Sequence, residues 1–388
     1  MICTQIRLKN WKNFGEVAAP LSDRVFVVGA NAAGKSNFLD AFRFLKEVAN
    51  DGLRKAVIAR GGIKKIRNLN ARSPSYVELS TVLEDDEESK TRWEYTLQFN
   101  STGGTQDKRT VAISLEKICR DNAVILERKY DGEGEDYHTR QFTLLEQPAA
   151  NTKFRPIYEY FRNTSYVNII PQLIRESESF LPSSAEEDFY GRNLLETIAI
   201  TNEKKRKSRL NTIGQILKMA VPQFSDLTYE PDKKGRPHLQ VRYHHFRPQG
   251  AKQQEDQFSD GTLRLLGIIW AILDGEGLML LEEPELYLHS EIVKQLPAFI
   301  ANAQQKSKTR RQVIISSHSY DLLNSDTIDP KEIMILRQGK EDTSIEPADT
   351  VKAVLDKIDV GYTPADAVIP QVVPEGIRDG QLSLFEFH

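Results

Sequence analysis

The sequence predicts an α/β fold with a parallel sheet, an antiparallel β subdomain and an inserted, mainly helical lobe. Three observations carry that prediction. A glycine-rich stretch, Gly29 to Ser36, directly follows one apolar run and directly precedes a helical pattern. Two more short apolar runs, Leu278 to Leu281 and Val313 to Ile315, return late in the chain, and strands alternating with helices in this way belong to parallel sheets. Between them, residues from about 74 to 147 alternate apolar and polar side chains with the period of two shown by half-buried strands.

Taken in order, Thr4 to Leu8 reads as a strand, followed by a polar turn through Asn13, and Arg24 to Val28 as the next strand. Phe38, Ala41, Phe42 and Leu45 then fall at i, i+3, i+4 and i+7, one face of a helix. Tyr76–Leu83, Trp93–Phe99, Val111–Ile118 and Val124–Lys129 read as strands, and the acidic runs Glu84–Glu88 and Asp131–Asp136 as exposed hairpin turns between them. Residues 150–220 read as helical and polar, broken at Pro171 and Pro182; Phe224–Tyr229 and His238–Tyr243 return to strand, and Thr262–Leu273 forms an apolar helix. From about residue 361, Pro364, Pro370, Pro374, Gly376 and Gly380 predict an extended, weakly ordered tail. The expected division is a discontinuous core (1–50 and 215–345), a β-rich part (51–149), a helical insertion (150–214) and a C-terminal extension (346–388).

The chain of 388 residues is long enough for one large or two ordinary domains, and 28% charged against 39% hydrophobic residues excludes a disordered class. A net charge of -3 gives no bulk argument for or against nucleic acid. Two cysteines, Cys3 and Cys119, exclude a disulfide framework and a four-cysteine zinc site. The longest apolar run, Leu265–Leu273, is about half a membrane span, and the N-terminus lacks a signal-peptide pattern. A soluble, cytoplasmic protein without a membrane partner is expected.

Gly29 to Ser36 fits G-x-x-x-x-G-K-[ST] between a strand and a helix. Glycines let backbone N–H groups turn inward around phosphate oxygens, and the helix N-terminus adds positive potential. Lys35 reaches the β/γ oxygens and the Ser36 hydroxyl coordinates Mg²⁺. The run Leu278–Leu281 ends in Glu282 and Glu283, where one carboxylate serves the metal and the next the attacking water. The competing reading is an acidic helix start, since Glu285–Leu288 also suits a helix opening. Gln312–Ser317 ends in His318, which at such a strand end faces a ligand crevice; the competing reading is a polar loop histidine.

Together these residues resemble the ATP-binding-cassette superfamily, in the branch of SMC proteins, RecF and the ATPase domains of OLD-family and other phage-defence proteins. Ile6–Phe14 looks like that branch's first strand and turn, and Gly29-Ala30-Asn31-Ala32-Ala33-Gly34-Lys35-Ser36-Asn37 like its Walker A motif. Phe258-Ser259-Asp260-Gly261-Thr262-Leu263-Arg264 sits where the family carries its signature, in a degenerate S-x-G-T form. Glu282-Glu283-Pro284-Glu285 with Leu288-His289 resembles Walker B and the D-loop, and His318 matches the switch histidine. The resemblance covers roughly residues 1–50 and 215–340. Glu282 departs from the family's usual aspartate, and no Q-loop glutamine is placed.

The resemblance implies an ABC-type ATPase head with Mg²⁺ and ATP as cofactors, the metal on Ser36 and Glu282. Nucleotide contacts are implied for residues 29–37 of one protomer and for Ser259, Asp260, Gly261 and Thr262 of a second, paired head-to-tail in a homodimer or higher homo-oligomer. Lys35, Glu283 and His318 take the catalytic roles: Glu283 activates water and His318 contacts the γ-phosphate. ATP then closes the dimer and hydrolysis reopens it, in DNA maintenance or anti-phage defence with a separately encoded effector. The alternative is an ATP-gated scaffold that sequesters a toxin or nuclease and never touches DNA.

Long heptads, C-x-x-C and a D-x-D after His318 are missing, which argues against a full coiled-coil arm, a zinc hook and a TOPRIM nuclease domain. Lys204-Lys205-Arg206-Lys207-Ser208-Arg209 and the smaller Lys64-Lys65-Ile66-Arg67 are candidate DNA contacts or plain solvated faces. Gln381-Leu382-Ser383-Leu384-Phe385 resembles the peptide by which bacterial repair proteins bind the sliding clamp; docking on an effector or on the chain's own core is the other reading.

Overall fold

The computed structural model describes residues 1–72, 76–85, 91–101, 111–130, 138–176, 188–243, 251–306 and 311–373. The acidic runs beyond Asp85, Pro182 and the Gln381–Phe385 segment lie outside them. Within these residues, β1 (Ile2–Trp11), β2 (Phe14–Pro20), β4 (Val77–Glu84), β5 (Arg92–Ser101), β6 (Val111–Arg120) and β7 (Ala123–Lys129) form an antiparallel sheet in the order β2-β1-β4-β5-β6-β7. Its alternation is plain in β5, where Trp93, Tyr95, Leu97 and Phe99 are buried and the residues between them are half exposed. Cross-strand pairing on such a face fixes register, because a one-residue slip would turn every buried side chain outward.

The second sheet is the core of the molecule. Its order is β15-β14-β3-β13-β12-β8, with β3 (Arg24–Gly29), β8 (Ser165–Val167), β12 (Met279–Glu282), β13 (Val313–Ser317) and β14 (Ile333–Gln338) parallel and β15 (Thr343–Pro347) antiparallel at the edge. All of β3 and β13 is buried, as strands covered on both faces must be. Alternate residues divide between two cores. Val25, Val27, Leu280, Ile314, Met334 and Leu336 pack with α1 (Lys35–Asp51) and the antiparallel sheet. Phe26, Val28, Met279, Leu281, Ile315 and Ile335 pack with helices on the other face, chiefly α8 (Asp260–Asp274) and α9 (Ser290–Lys306).

Helix α1 buries Phe38, Leu39, Ala41, Phe42, Phe44, Leu45, Val48 and Ala49, a wide face, because it lies between two sheets. The short helices α2 (Leu53–Ala59) and α3 (Ile63–Ile66) follow it. Residues 150–220 contain α4 (Arg155–Arg162), α5 (Pro171–Arg175), α6 (Leu194–Ile200) and α7 (Glu203–Ala220). Pro171 opens α5 rather than breaking a helix, since its missing N–H falls where a helix has no acceptor for it. This mainly helical stretch also contributes β8, a parallel edge strand beside β12. A third, antiparallel sheet, β11-β10-β9, joins β9 (Phe224–Tyr229), β10 (Leu239–Tyr243) and β11 (Ala251–Gln254) and packs against α7.

The tail also departs from expectation. After α10 (Tyr320–Leu323) and α11 (Lys352–Asp359), Pro364–Val372 forms helix α12 where the prolines predicted extended chain. Pro364 occupies the first turn, the Thr363 hydroxyl caps it by accepting from Asp366 N–H, and Ala365, Ala367 and Val368 are buried in the second core. Tertiary burial outweighs the local cost of Pro370. No helix among the described residues is long and apolar enough to cross a membrane.

Candidate functional site

The C-terminal ends of β3, β12, β13 and β8 converge on one rim of the central sheet, the rim where parallel sheets bind ligands. At β3 the chain turns through residues 29–34 into α1. Gly34 is the N-cap of α1 with φ +100°, and a Cβ there would sit 2.0 Å from Asn13 Nδ2. Glycine is therefore required both by conformation and by space. Ala32 also has positive φ, 63°. No side chain caps the first turn of α1, so its amides are offered to a ligand rather than to the protein.

Asn13 explains why the first turn of the chain belongs to this site. Its Nδ2 donates to Ala33 O (3.1 Å) and Thr343 Oγ1 (2.7 Å), and its Oδ1 accepts from Asn37 Nδ2 (2.7 Å). Trp11 Nε1 adds a bond to Asn37 O, 2.8 Å. The β1–β2 turn thus clamps the C-terminal end of the glycine-rich loop and the start of α1. Lys35 is buried, and its Nζ donates to Gly29 O (3.0 Å) and Ala30 O (3.1 Å). Burial lowers its pKa, opposed by the nearby Glu283, Glu285 and Glu282 carboxylates.

Ser36 and Glu282 are brought into direct contact, Ser36 Oγ donating to Glu282 Oε1. The other oxygen, Oε2, accepts from the Tyr166 hydroxyl. Past β12 the chain kinks at Glu283, φ +43°, where its N–H donates to Ser316 O at 3.0 Å. Glu283 Oε1 lies 3.2 Å from His318 Nδ1. Sequence reasoning placed each of these four residues but had no signal for Tyr166, which lies in a three-residue strand too short to show a period.

Two buried charges frame the carboxylates. Glu285 accepts from Ser317 Oγ (2.6 Å) through Oε1 while Oε2 has no hydrogen-bond partner, and burial raises its pKa. Arg264, fully buried on α8, donates to the carbonyls of Glu283 (2.6 Å), Pro284 (3.3 Å), Glu282 (3.4 Å) and Ile169, which pins the carboxylate turn from below. Ser259 caps α8, its Oγ accepting from Thr262 N–H (3.2 Å). A Cβ at Gly261 would approach Tyr287 O to 2.9 Å, so the signature segment packs on the D-loop turn. Asp260 is held by Arg175 and by Gln172 Nε2 (3.1 Å). Among the described residues none of these partners belongs to residues 29–37.

The residues present fit a magnesium nucleotide. The loop leaves no room for a Cβ at Gly34, donates uncapped amides, and places a hydroxyl and a carboxylate side by side, the oxygen donors that Mg²⁺ takes when it arrives on phosphates.

The basic run on α7 is largely engaged by the protein. Arg206 donates to Ala199 O (2.7 Å) and lies over the Tyr229 ring, Lys207 pairs with Glu203 at 2.6 Å, and Arg209 pairs with Asp274. Lys204 and Lys205 line a groove that Lys306 also borders.

No curated protein matches the sequence. The chain is similar to the crystal structure of the SmcHead bound to the C-winged helix domain of ScpA, with 14% identity and a TM-score of 0.53 over 89% of this chain and 97% of that one. It is also similar to the Smc head domain with an extended coiled coil bound to the C-terminal domain of ScpA derived from Pyrococcus furiosus, with 15% identity and a TM-score of 0.51 over 92% and 99%. Such low identity speaks for the fold alone, that of an Smc head domain. The family described as "AAA domain, putative AbiEii toxin, Type IV TA system" matches residues 24–324, from β3 past His318, and the chain belongs to that family.

Proposed function

We propose that this protein binds and hydrolyses Mg²⁺·ATP and works as an ATP-driven dimeric switch or clamp. The observation that carries the reading is the meeting of Ser36 with Glu282 and of Glu283 with His318 on one sheet rim, beside an uncapped helix start. Lys35 and the residue 29–37 amides would bind the phosphates, and Ser36 with Glu282 would hold the metal. Bound Mg²⁺ supplies charge neutralisation at the β/γ oxygens. Glu283 would orient a water and accept its proton, with His318 fixing the carboxylate through Oε1 and facing the γ-phosphate. Ser259, Asp260, Gly261 and Thr262, whose partners in their own chain lie outside the glycine-rich loop, would meet the nucleotide of a second protomer.

The expected outcome for Glu283→Gln is loss of ATP turnover by about two to three orders of magnitude with nucleotide binding retained, read by phosphate release and by titration with a fluorescent ATP analogue. Lys35→Ala should lose binding itself. Turnover at the wild-type rate in Glu283→Gln would sink the assignment.

The cellular role proposed is DNA maintenance or anti-phage defence with a separate effector. A second reading, an ATP-gated scaffold that restrains a toxin or nuclease, is favoured by two observations: the family's toxin–antitoxin description and the internal engagement of Arg206, Lys207 and Arg209. Salt-dependent DNA binding that vanishes in Lys204→Glu/Lys205→Glu supports the first. Nuclease-resistant co-purification with the product of an adjacent gene supports the second.

A further inference from the structure

Glu282 is one methylene longer than the aspartate of the family it resembles, and that methylene adds a torsion to be fixed before the carboxylate is useful. The structure fixes it from both sides. Oε1 accepts from Ser36 and Oε2 from the Tyr166 hydroxyl. Tyr166 lies on β8 opposite Leu280, two residues before Glu282, and its long side chain reaches forward to the carboxylate at the end of β12.

The Tyr166 ring is itself held. The Arg43 guanidinium lies 4.3 Å from its centroid, and Phe189 meets it edge-on at 5.6 Å. Arg43 also covers Phe189 at 4.7 Å, so the cation sits between two aromatic rings. Arg43 belongs to α1, two turns beyond Lys35 and Ser36. One helix therefore presents the phosphate and metal ligands at its start and braces, further along, the ring that holds the opposing carboxylate.

We propose that Tyr166 is a positioning residue for the metal-site carboxylate: its hydroxyl fixes Glu282 Oε2, so that Oε1 faces Ser36 and the metal. This rests on the Mg²⁺·ATP reading above. Groups that orient a metal-ligating carboxylate set metal affinity without touching the ion, and their loss typically costs on the order of 10–100-fold. Glutamate works at this position because a phenol from the edge strand takes up its extra length.

Tyr166→Phe keeps the ring and its Arg43 and Phe189 contacts and removes only the hydroxyl, so its thermal melt should match the wild type. Mn²⁺ titrated into the full chain with a non-hydrolysable ATP analogue, followed by electron paramagnetic resonance, should bind about tenfold more weakly. Affinity for the analogue without metal should be unchanged. The Mg²⁺ concentration giving half-maximal turnover should rise by the same factor, with KM for ATP at saturating Mg²⁺ unmoved. Glu282→Asp should weaken Mn²⁺ binding in the wild-type background and less in Tyr166→Phe, because a shorter carboxylate has already left the phenol. Wild-type Mn²⁺ affinity in Tyr166→Phe, or two effects that simply multiply, overturns this proposal alone. A wild-type protein that binds no Mn²⁺ with the analogue overturns it together with the ATP reading.

Discussion

A single methyl group at residue 34 would collide with the Asn13 amide and force a left-handed backbone on a residue that resists it. Gly34→Ala should therefore lower stability by about 1–3 kcal/mol, read by thermal melting, and lose nucleotide binding with it. Asn13→Ala should weaken binding more mildly, since it frees Ala33 O and Asn37 while leaving the loop's backbone unstrained. Glu285 gives a pH signature. Burial raises its folded pKa above the unfolded value, so the folded state holds the proton more tightly and this residue's contribution falls as pH rises through the window between the two. Glu285→Gln removes that loss. The melting-temperature difference, variant minus wild type, should be more positive at pH 8 than at pH 5, and the reverse slope would refute the burial argument.

At the scale of elements, what the sequence made legible is what chemistry or period dictates. The meeting of residues 29–36, Glu282, Glu283 and His318 on one sheet rim was readable because their residue types and spacing stand out at strand ends, and β4–β7 because their faces alternate over many residues. The strand β8 and its Tyr166 were not, for three residues carry no period and their pairing partner lies more than a hundred positions away. Helix α12 was misread because prolines signal locally, whereas burial of Ala365, Ala367 and Val368 is a tertiary term. Helix α7 shows the same limit: a run of basic residues does not reveal which cations face Asp274 or Tyr229. Arg209→Glu should lower the melting temperature by placing like charges together, while Lys204→Glu/Lys205→Glu should leave it unchanged. Equal effects on stability would show that the run acts as one surface.

For the molecule as a whole, the proposed meeting of residues 259–262 with the nucleotide of a second protomer predicts association. In Glu283→Gln, ATP should shift the sedimenting species toward dimer, and Ser259→Arg should abolish the shift; a strictly monomeric variant at saturating ATP would contradict it. A peptide of residues 376–388 titrated with sliding clamp tests the proposed tail interaction, with Gln381→Ala and Phe385→Ala expected to remove any micromolar binding. The sheet order has a consequence for how the protein is made. Strand β3 ends at residue 29, yet its two neighbours, β13 and β14, begin at residues 313 and 333. At roughly 5–20 residues per second, β3 waits about 15–60 s with both edges open. Its apolar run, Val25 to Val28, is a sticky nascent segment for that interval. Ribosome-arrested chains ending near residue 306 should expose it to chaperones and crosslinkers, and chains extended past β14 should release it, so the glycine-rich loop is made long before the strands that flank it.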